Sequence, residues 1–540
     1  MDIIIYNGHI RTMDSLNPLV SALAIKDGQI EALGADGDVL ALKTGQTRLI
    51  DAAGRCIIPG LNDSHMHLLG YAAGKSGVDL SKARSAREIT ALIRNHIDEK
   101  KLPEGALVTG RGFNDNMFTE KGFPTRLDLD AASTKHPVYI ARACHHIAVA
   151  NSLLINRSGI GRDTAVEGGE VLHFDDGEPN GILTENAMGL VKIDREPMTT
   201  AQIRELIALA APELAALGIT SVQTDDFSGL FPRKAVLEAY SSMALEGKLN
   251  FRVTEKRRGP TPEDCREVLS LKVPDGIERF FRLGPVKLFA DGSLGGHTAY
   301  MQEDYKDKPG YRGVPIYERE SFAALVDLVH KSGGDVAVHA IGDGAIAMTL
   351  DAIEASQKAN PRPEARHGIV HAQITTPLLL ERFKSLNVFA YIQPIFLHAD
   401  ALITDARVGT EKAATSYAFK TLMDSGVPVP MGTDCPVEPL DPFDNIYCAV
   451  TRKGLTGLPA GGFYPAQALS AEEAVRAYTL DSAYASREEH IKGMLAPGYA
   501  ADLAMLSRNI FTEPTEAIPG TVSVLTIVDG RVVYEMRSGN

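Results

Sequence analysis

Short apolar runs punctuated by turn residues occupy both ends of the chain, and helical periodicity enters only in the middle. Near the start, Ile3-Ile4-Ile5-Tyr6 runs into Asn7-Gly8, and Ala22-Leu23-Ala24-Ile25 into Lys26-Asp27-Gly28. Ile30-Glu31-Ala32-Leu33-Gly34 and Arg48-Leu49-Ile50-Asp51-Ala52 follow. Runs this short, bounded by Gly and Asn, read as strands. The far end carries matching runs over 501–506, 522–528 and 531–534, with Asp529-Gly530 as a hairpin turn. Residues 1–56 and 494–540 are therefore expected to meet as one small β-sandwich built from both termini.

Between them, residues 57–493 change character. A strand is expected at 56–63. Residues 68–198 show no clean alternation and read as a cap insertion, with a helix over 87–100 and strands at 108–110 and 137–141. Alternation then becomes regular. The helix over 201–217 puts Ile203, Leu206, Ile207, Ala210, Leu214 and Leu217 on one face and stops at Gly218. Further strands are expected at 218–225, 249–255, 285–291, 335–339, 368–371, 388–394 and 427–434. Helices are expected at 319–332, 344–357, 375–386, 415–425 and 471–486. Eight β-to-α units predict an α/β chain folded as a (β/α)8 TIM barrel, which carries its chemistry at the C-terminal ends of the strands.

Composition narrows the partners. With 540 residues, 44% of them hydrophobic and 23% charged, the chain is long enough for a barrel and a second domain. A net charge of -14 argues against nucleic acid or an anionic membrane as a partner and favours solubility. No window approaches the ~18–20 apolar residues of a membrane span. The start lacks the basic and apolar segments of a signal peptide. The five cysteines, Cys56, Cys144, Cys265, Cys435 and Cys448, form no Cys-x-x-Cys pair. That pattern suits a reducing compartment, and the expected location is cytoplasmic.

The expected strand ends carry the chemistry. The first gives His65 and His67, which lie two apart and so share a face, with Met66 on the other. The fourth gives Lys287 and Asp291, the fifth His339, the sixth His371 and the eighth Asp434. Neutral imidazoles and a carboxylate suit a divalent metal such as zinc. Such a metal lowers the pKa of a bound water from ~16 toward ~7, giving hydroxide at neutral pH. His367 shares a face with His371 but lies farther from the strand end, so His371 is the expected ligand and His367 a structural residue. Cys435 has no base partner in the sequence and is read as packing.

Pro59-Gly60-Leu61-x-Asp63-x-His65-x-His67, His339, His371, Gly432-Thr433-Asp434 and Gly493-x-Leu495-x-Pro497-Gly498-x-x-Ala501-Asp502-Leu503 resemble the amidohydrolase superfamily. The stretches 286–295, 370–373, 393–394 and 434–438, with Gly110-Arg111-Gly112-Phe113-Asn114 and His146-x-x-x-x-Asn151-Ser152, resemble its large-insertion branch, which includes N-substituted formamide deformylases. The resemblance implies a metal-dependent hydrolase cleaving a C–N bond of a small amide, formamide or cyclic amide, so the expected partner is a small-molecule substrate. It implies His65 and His67 on one metal, His339 and His371 on a second if present, and Asp434 as both ligand and general base. Lys287 matches the position of a carboxylated lysine bridging two metals, with Glu185 as the alternative bridge. His146, Asp291, His297 and Phe113 are the residues expected near substrate, and a homodimer is the implied assembly. The chain departs from the branch at Gly295-Gly296-His297-Thr298, where an arginine is usual, and at Phe113, where tryptophan is usual.

Three rivals are weighed against this reading. An ester or lactone would use the same groups. A catalytically silent relative acting in binding or regulation would not need the complete ligand set. A ring deaminase would carry a glutamate three residues after its fifth-strand histidine, where this chain has Ala340-Ile341-Gly342.

Overall fold

The computed structural model describes all residues except 76, 120–121, 144–145, 194–195 and 538–540. Seven parallel strands, hydrogen-bonded in chain order, make one curved sheet: β1 (Leu61–Met66), β2 (Ile219–Thr224), β3 (Arg252–Arg258), β4 (Phe281–Phe289), β5 (Val336–Ala340), β6 (Gly368–His371) and β7 (Phe389–Tyr391). Most of their residues are buried, as expected of strands covered on both faces.

The expected eighth strand, 427–434, is not a regular strand. Pro428 and Pro430 have no N–H to give, so a ladder cannot run through them. The segment nevertheless closes the barrel. On one side the amides of Ala390 and Ile392 donate to the Pro428 and Pro430 carbonyls, at 3.3 and 2.9 Å. On the other, the Ser64 amide donates to Met431 at 3.1 Å and the Asp434 amide to the His65 carbonyl at 2.7 Å.

Two other boundaries move. The run expected as one strand at 56–63 splits at Gly60, where a Cβ would stand 2.1 Å from Thr220 Oγ1. Cys56–Pro59 pairs antiparallel with Leu503–Met505 in a terminal sheet, and β1 begins only at Leu61. β3 starts at Arg252, three residues later than expected, because Leu249 and Phe251 pack as an apolar lead-in before the ladder begins. The helices Thr200–Ala216, Arg319–Lys331, Asp343–Ala359, Pro377–Ser385 and Phe419–Asp424 fall close to expectation. The expected 471–486 helix is interrupted by a π-helical turn at Ala477–Asp481, whose Ala477 carbonyl accepts from the Met431 amide of the closing segment.

Strands from both ends of the chain share one six-stranded sheet, in which Leu503–Leu506 lies beside Cys56–Pro59. It faces a four-stranded sheet across Ile5, Leu23, Ile57, Leu503 and Ile527. Arg252 at the start of β3 ties this unit to the barrel through Asp502, with Nε–Oδ2 and Nη2–Oδ1 distances of 2.6 and 2.9 Å. Residues between β1 and β2 build a separate six-stranded mixed sheet with its own core around Val108, Phe113, Leu129, Ile140 and Val149. Among the described residues, no helix is long and apolar enough to cross a membrane.

Candidate metal centre

β1 delivers His65 at its end, and His67 follows where the backbone turns into the helix Leu68–Gly74. Met66, between them, points into the core and is fully buried. The closing segment is held against β1 by Asp63, whose carboxylate accepts from the His65 amide and from the Thr433 amide and hydroxyl. Gly432 allows this approach, since a Cβ there would lie 2.5 Å from the His65 nitrogen. The result is that His65 Nε2 and His67 Nε2 each stand 3.3 Å from Asp434 Oδ1, with His371 Nε2 3.9 Å from Asp434 Oδ2.

These contacts are not ordinary pairs. His65 Nε2, His371 Nδ1 and Asp434 Oδ1 are buried without a hydrogen-bond partner. Two atoms ~2.1 Å from one ion at a tetrahedral angle stand about 3.4 Å apart, close to the spacing seen here. Ligand atoms of His65, His371 and Asp434 all lie within 4.8 Å of one another. The donor set therefore fits a divalent metal. His67 is fixed for ligation in a familiar way: its Nδ1–H donates to the Asp225 carbonyl at 2.9 Å and leaves Nε2 with its lone pair. His339 does the reverse, donating from Nε2 to the Gly292 carbonyl at 3.0 Å and leaving Nδ1. Its ring lies 4.5 Å from that of His371, centroid to centroid.

Burial keeps most of these rings neutral, the state a ligand needs. It holds His65 well below the usual histidine range, helped by the charges of Lys256 and Lys287. It holds His339 similarly low, with His371 adding to the effect, and it brings His371 to about 3. Burial also pulls His67 down, but Asp434 more than reverses this. For Asp434, burial pushes upward and is outweighed by His67, His371 and Lys287, so the carboxylate stays ionised. Both His371 and Asp434 sit on left-handed backbone, φ 77° and 58°, a strained conformation that recurs at functional sites.

Lys287 is 1% exposed, its ammonium has no hydrogen-bond partner, and it lies 4.0 Å above the Phe289 ring. Burial lowers its pKa to about 8. His146 and Glu185 reach the same chamber from the cap: His146 Nδ1 donates to Glu185 Oε2 at 2.7 Å, and its ring lies 4.7 Å from that of His339. Glu185 is also on left-handed backbone, φ 47°, and its Oε1 would stand 2.0 Å from a Cβ on Gly292. All these residues line one chamber of about 480 Å³, walled on its apolar side by Met188, Phe289, Ile316, Tyr317 and Val437.

Three residues expected near substrate stand elsewhere. Phe113 is fully buried in the cap's own core against Phe123. Asp291 is buried under the chamber, where its carboxylate accepts from the amides of Tyr300, Ile341 and Gly342 and lies 3.6 Å from His339 Nε2. Its role there is to hold loops. His297 packs on Tyr305 and contacts Arg407 and Asp307, outside the chamber lining. His367 is buried behind the site, bonded to His330, as a structural residue would be.

Sequence reasoning missed Lys256 and Arg258. Lys256 is fully buried on β3, donates to the Ser64 carbonyl and lies 3.2 Å from His65 Nδ1. Arg258 lines the chamber with its guanidinium over Phe289. The alternation Arg252, Thr254, Lys256, Arg258 signals this face once the strand is placed correctly.

The fold and the cluster at its strand ends define a (β/α)8 barrel whose mouth can hold metal. A model of the amidohydrolase family matches residues 48–534, and the chain belongs to that family. It is 31% identical over 539 residues to YtcJ of Bacillus subtilis, which bears the name amidohydrolase, covering 99% of this chain and all of that one. It is also 31% identical over 551 residues to the protein LONG AFTER FAR-RED 3 of Arabidopsis thaliana, covering 99% and 91%. Identity to the N-substituted formamide deformylase of Arthrobacter pascens is 26% over 558 residues, covering 100% and 99%. The crystal structure of a metal-dependent hydrolase from Pyrococcus horikoshii OT3 superposes with a TM-score of 0.72 at 29% identity, covering 95% of this chain and 99% of the other. Membership and neighbours together support a hydrolase that uses a divalent metal.

Proposed function

We propose that the chain hydrolyses the C–N bond of a small amide, formamide or cyclic amide, with zinc as the ion its donors suit. The observation that carries this reading is the convergence of His65, His371 and Asp434, whose ligand atoms lie within 4.8 Å of one another, with His65 Nε2 and Asp434 Oδ1 buried and without a hydrogen-bond partner. In this reading His65, His67 and Asp434 would hold one ion and His339 and His371 a second. Lys287, carboxylated when its neutral amine adds carbon dioxide and releases a proton, would be the ligand shared between them. Glu185 is the alternative bridge. Residues 1–56 with 494–540 serve as scaffold, 57–493 as the hydrolase barrel and 68–198 as its cap.

Bound metal supplies Lewis acidity, which polarises the substrate carbonyl and makes water nucleophilic. Asp434 takes a proton from the attacking water and returns it to the leaving nitrogen, a dual role open to a carboxylate held ionised in a buried site. His146, steadied by Glu185, faces the carbonyl from the cap side. The apolar wall of Met188, Ile316 and Tyr317 packs on the substrate and limits bulk water.

The test is metal content per chain in protein purified without added metal, for wild type, His65→Ala and Lys287→Ala. About two ions, falling in both variants, with turnover of simple formamides and amides, is the expected result. Absence of metal after reconstitution with zinc, manganese or iron would overturn the reading.

A further inference from the structure

Two of the sequence motifs play no part in the chemistry above: the run from Arg111 to Asn114 on the cap, and Cys435 to Glu438 after the catalytic aspartate. Arg111, Gly112 and Asn114 of the first run, with Cys435 to Glu438, wall a second chamber, of about 300 Å³, that shares Pro436 and Val437 with the metal chamber and so adjoins it. Arg84 and Arg111 line it. Arg84 is anchored by donating to the Ser81 and Ala83 carbonyls, at 3.3 and 3.1 Å. Arg111 comes from the cap strand Val108–Phe113 and lies against Gly74, where a Cβ would be 2.6 Å from its Cζ. It is half-buried, and among the described residues it makes no ion pair and no side-chain hydrogen bond.

The local charge balance favours an anion. Asp79 also lines the chamber and is ionised; it accepts from the Ser81 amide and stands beyond ion-pair distance of Arg111. Glu438 faces the same space, and burial, reinforced by Asp400 and Asp434, raises its carboxyl above the usual range and so favours its neutral form. Two guanidiniums thus face the Asp79 carboxylate and a Glu438 carboxyl whose burial disfavours its charge. A guanidinium offers a planar pair of donors that matches a carboxylate, and a partly dry chamber strengthens the pairing. Met117 and Leu455 supply apolar surface for the linker.

We propose that the second chamber binds a carboxylate at the far end of the substrate, so that the substrate is an amide bearing an acid group remote from the scissile bond. This rests on the hydrolase reading for the amide and on the two arginines for the acid.

The experiment compares binding of 4-acetamidobutanoate and its uncharged analogue 4-acetamidobutanamide to the metal-containing protein by calorimetry, in wild type, Arg111→Gln and Arg258→Gln. Wild type should bind the acid about tenfold more tightly than the amide. Arg111→Gln should reduce that preference to within about twofold with metal content unchanged, and Arg258→Gln should keep it. Equal binding of the two probes to wild type would overturn the proposal. A preference that survives Arg111→Gln, as metal–carboxylate binding would produce, would also overturn it. So would a preference lost only in Arg258→Gln, which would assign the acid to the first chamber. Turnover of the same probes tests the hydrolase reading separately, because binding is read whether or not the amide is cleaved.

Discussion

Lys287→Met should stabilise the metal-free protein while removing a metal-site residue. In the absence of metal and carbon dioxide, Lys287 is a buried amine with no hydrogen-bond partner. Burial takes it from an ordinary 10.5 down to about 8. At roughly 1.4 kcal/mol per tenfold, keeping the charged form inside the fold at pH 7 costs about 3 kcal/mol. Because the folded value is the lower one, the penalty is fully present below pH 8. It shrinks as pH rises toward 10.5 and is gone above that. Methionine fills a similar volume with no charge to desolvate. An unfolding entropy of about 2.1 cal/mol/K per residue over 540 residues turns 3 kcal/mol into a rise of roughly 3 °C in melting temperature. The assay is thermal unfolding of chelator-treated protein in carbon-dioxide-free buffer, at pH 7 and again at pH 10.5. A Lys287→Met variant no more stable than wild type at pH 7 would refute the reasoning. So would a gain of the same size at both pH values.

Asp502→Ala should cost about 3–5 kcal/mol in urea denaturation, because it leaves Arg252, 2% exposed, without its bidentate partner. Burial would raise the Asp502 pKa, yet Arg252 more than offsets this, so the folded value lies below the usual one. The pair therefore stabilises above about pH 3.9, and this contribution disappears as pH falls through the folded value. A wild-type acid transition unchanged in Asp502→Ala would contradict this assignment. Gly292→Ala should lower kcat/KM at least about tenfold with metal content preserved, because its Cβ displaces Glu185 and Thr298 and so releases His146. Wild-type kinetics would show that Glu185 orients nothing that catalysis needs.

The barrel was legible because its apolar runs end in polar residues at regular intervals, and those residues are the ones at the mouth. Alternation reports burial, however, and it misplaced β3, where an apolar lead-in precedes a ladder whose inward face is Lys256 and Arg258. The eighth strand was recognisable as an apolar run, although its prolines make it an extended strap with few hydrogen bonds of its own. Motif position alone puts Phe113 and His297 near substrate. Which side of a cap strand faces the chamber depends on how the cap sheet packs, and that packing has no local sequence signal. The partners that orient His67 and His339 were invisible for a related reason: they are backbone carbonyls, of Asp225 and Gly292, which every residue type supplies.

The shared terminal sheet has a bearing on how the chain is made. Cys56–Pro59 pairs on one edge with His9–Arg11, but the neighbour on its other edge is Leu503–Met505, about 450 residues later. At 5–20 residues per second, a ribosome needs roughly 20–90 s to supply that partner. Through that interval an edge of buried-type residues, Ile57 and Ile58 among them, waits exposed beside β1. The nascent chain is then a natural client for chaperones that shield strand edges. A protein truncated before residue 503 would keep that edge open permanently, with every ligand of the metal centre already synthesised.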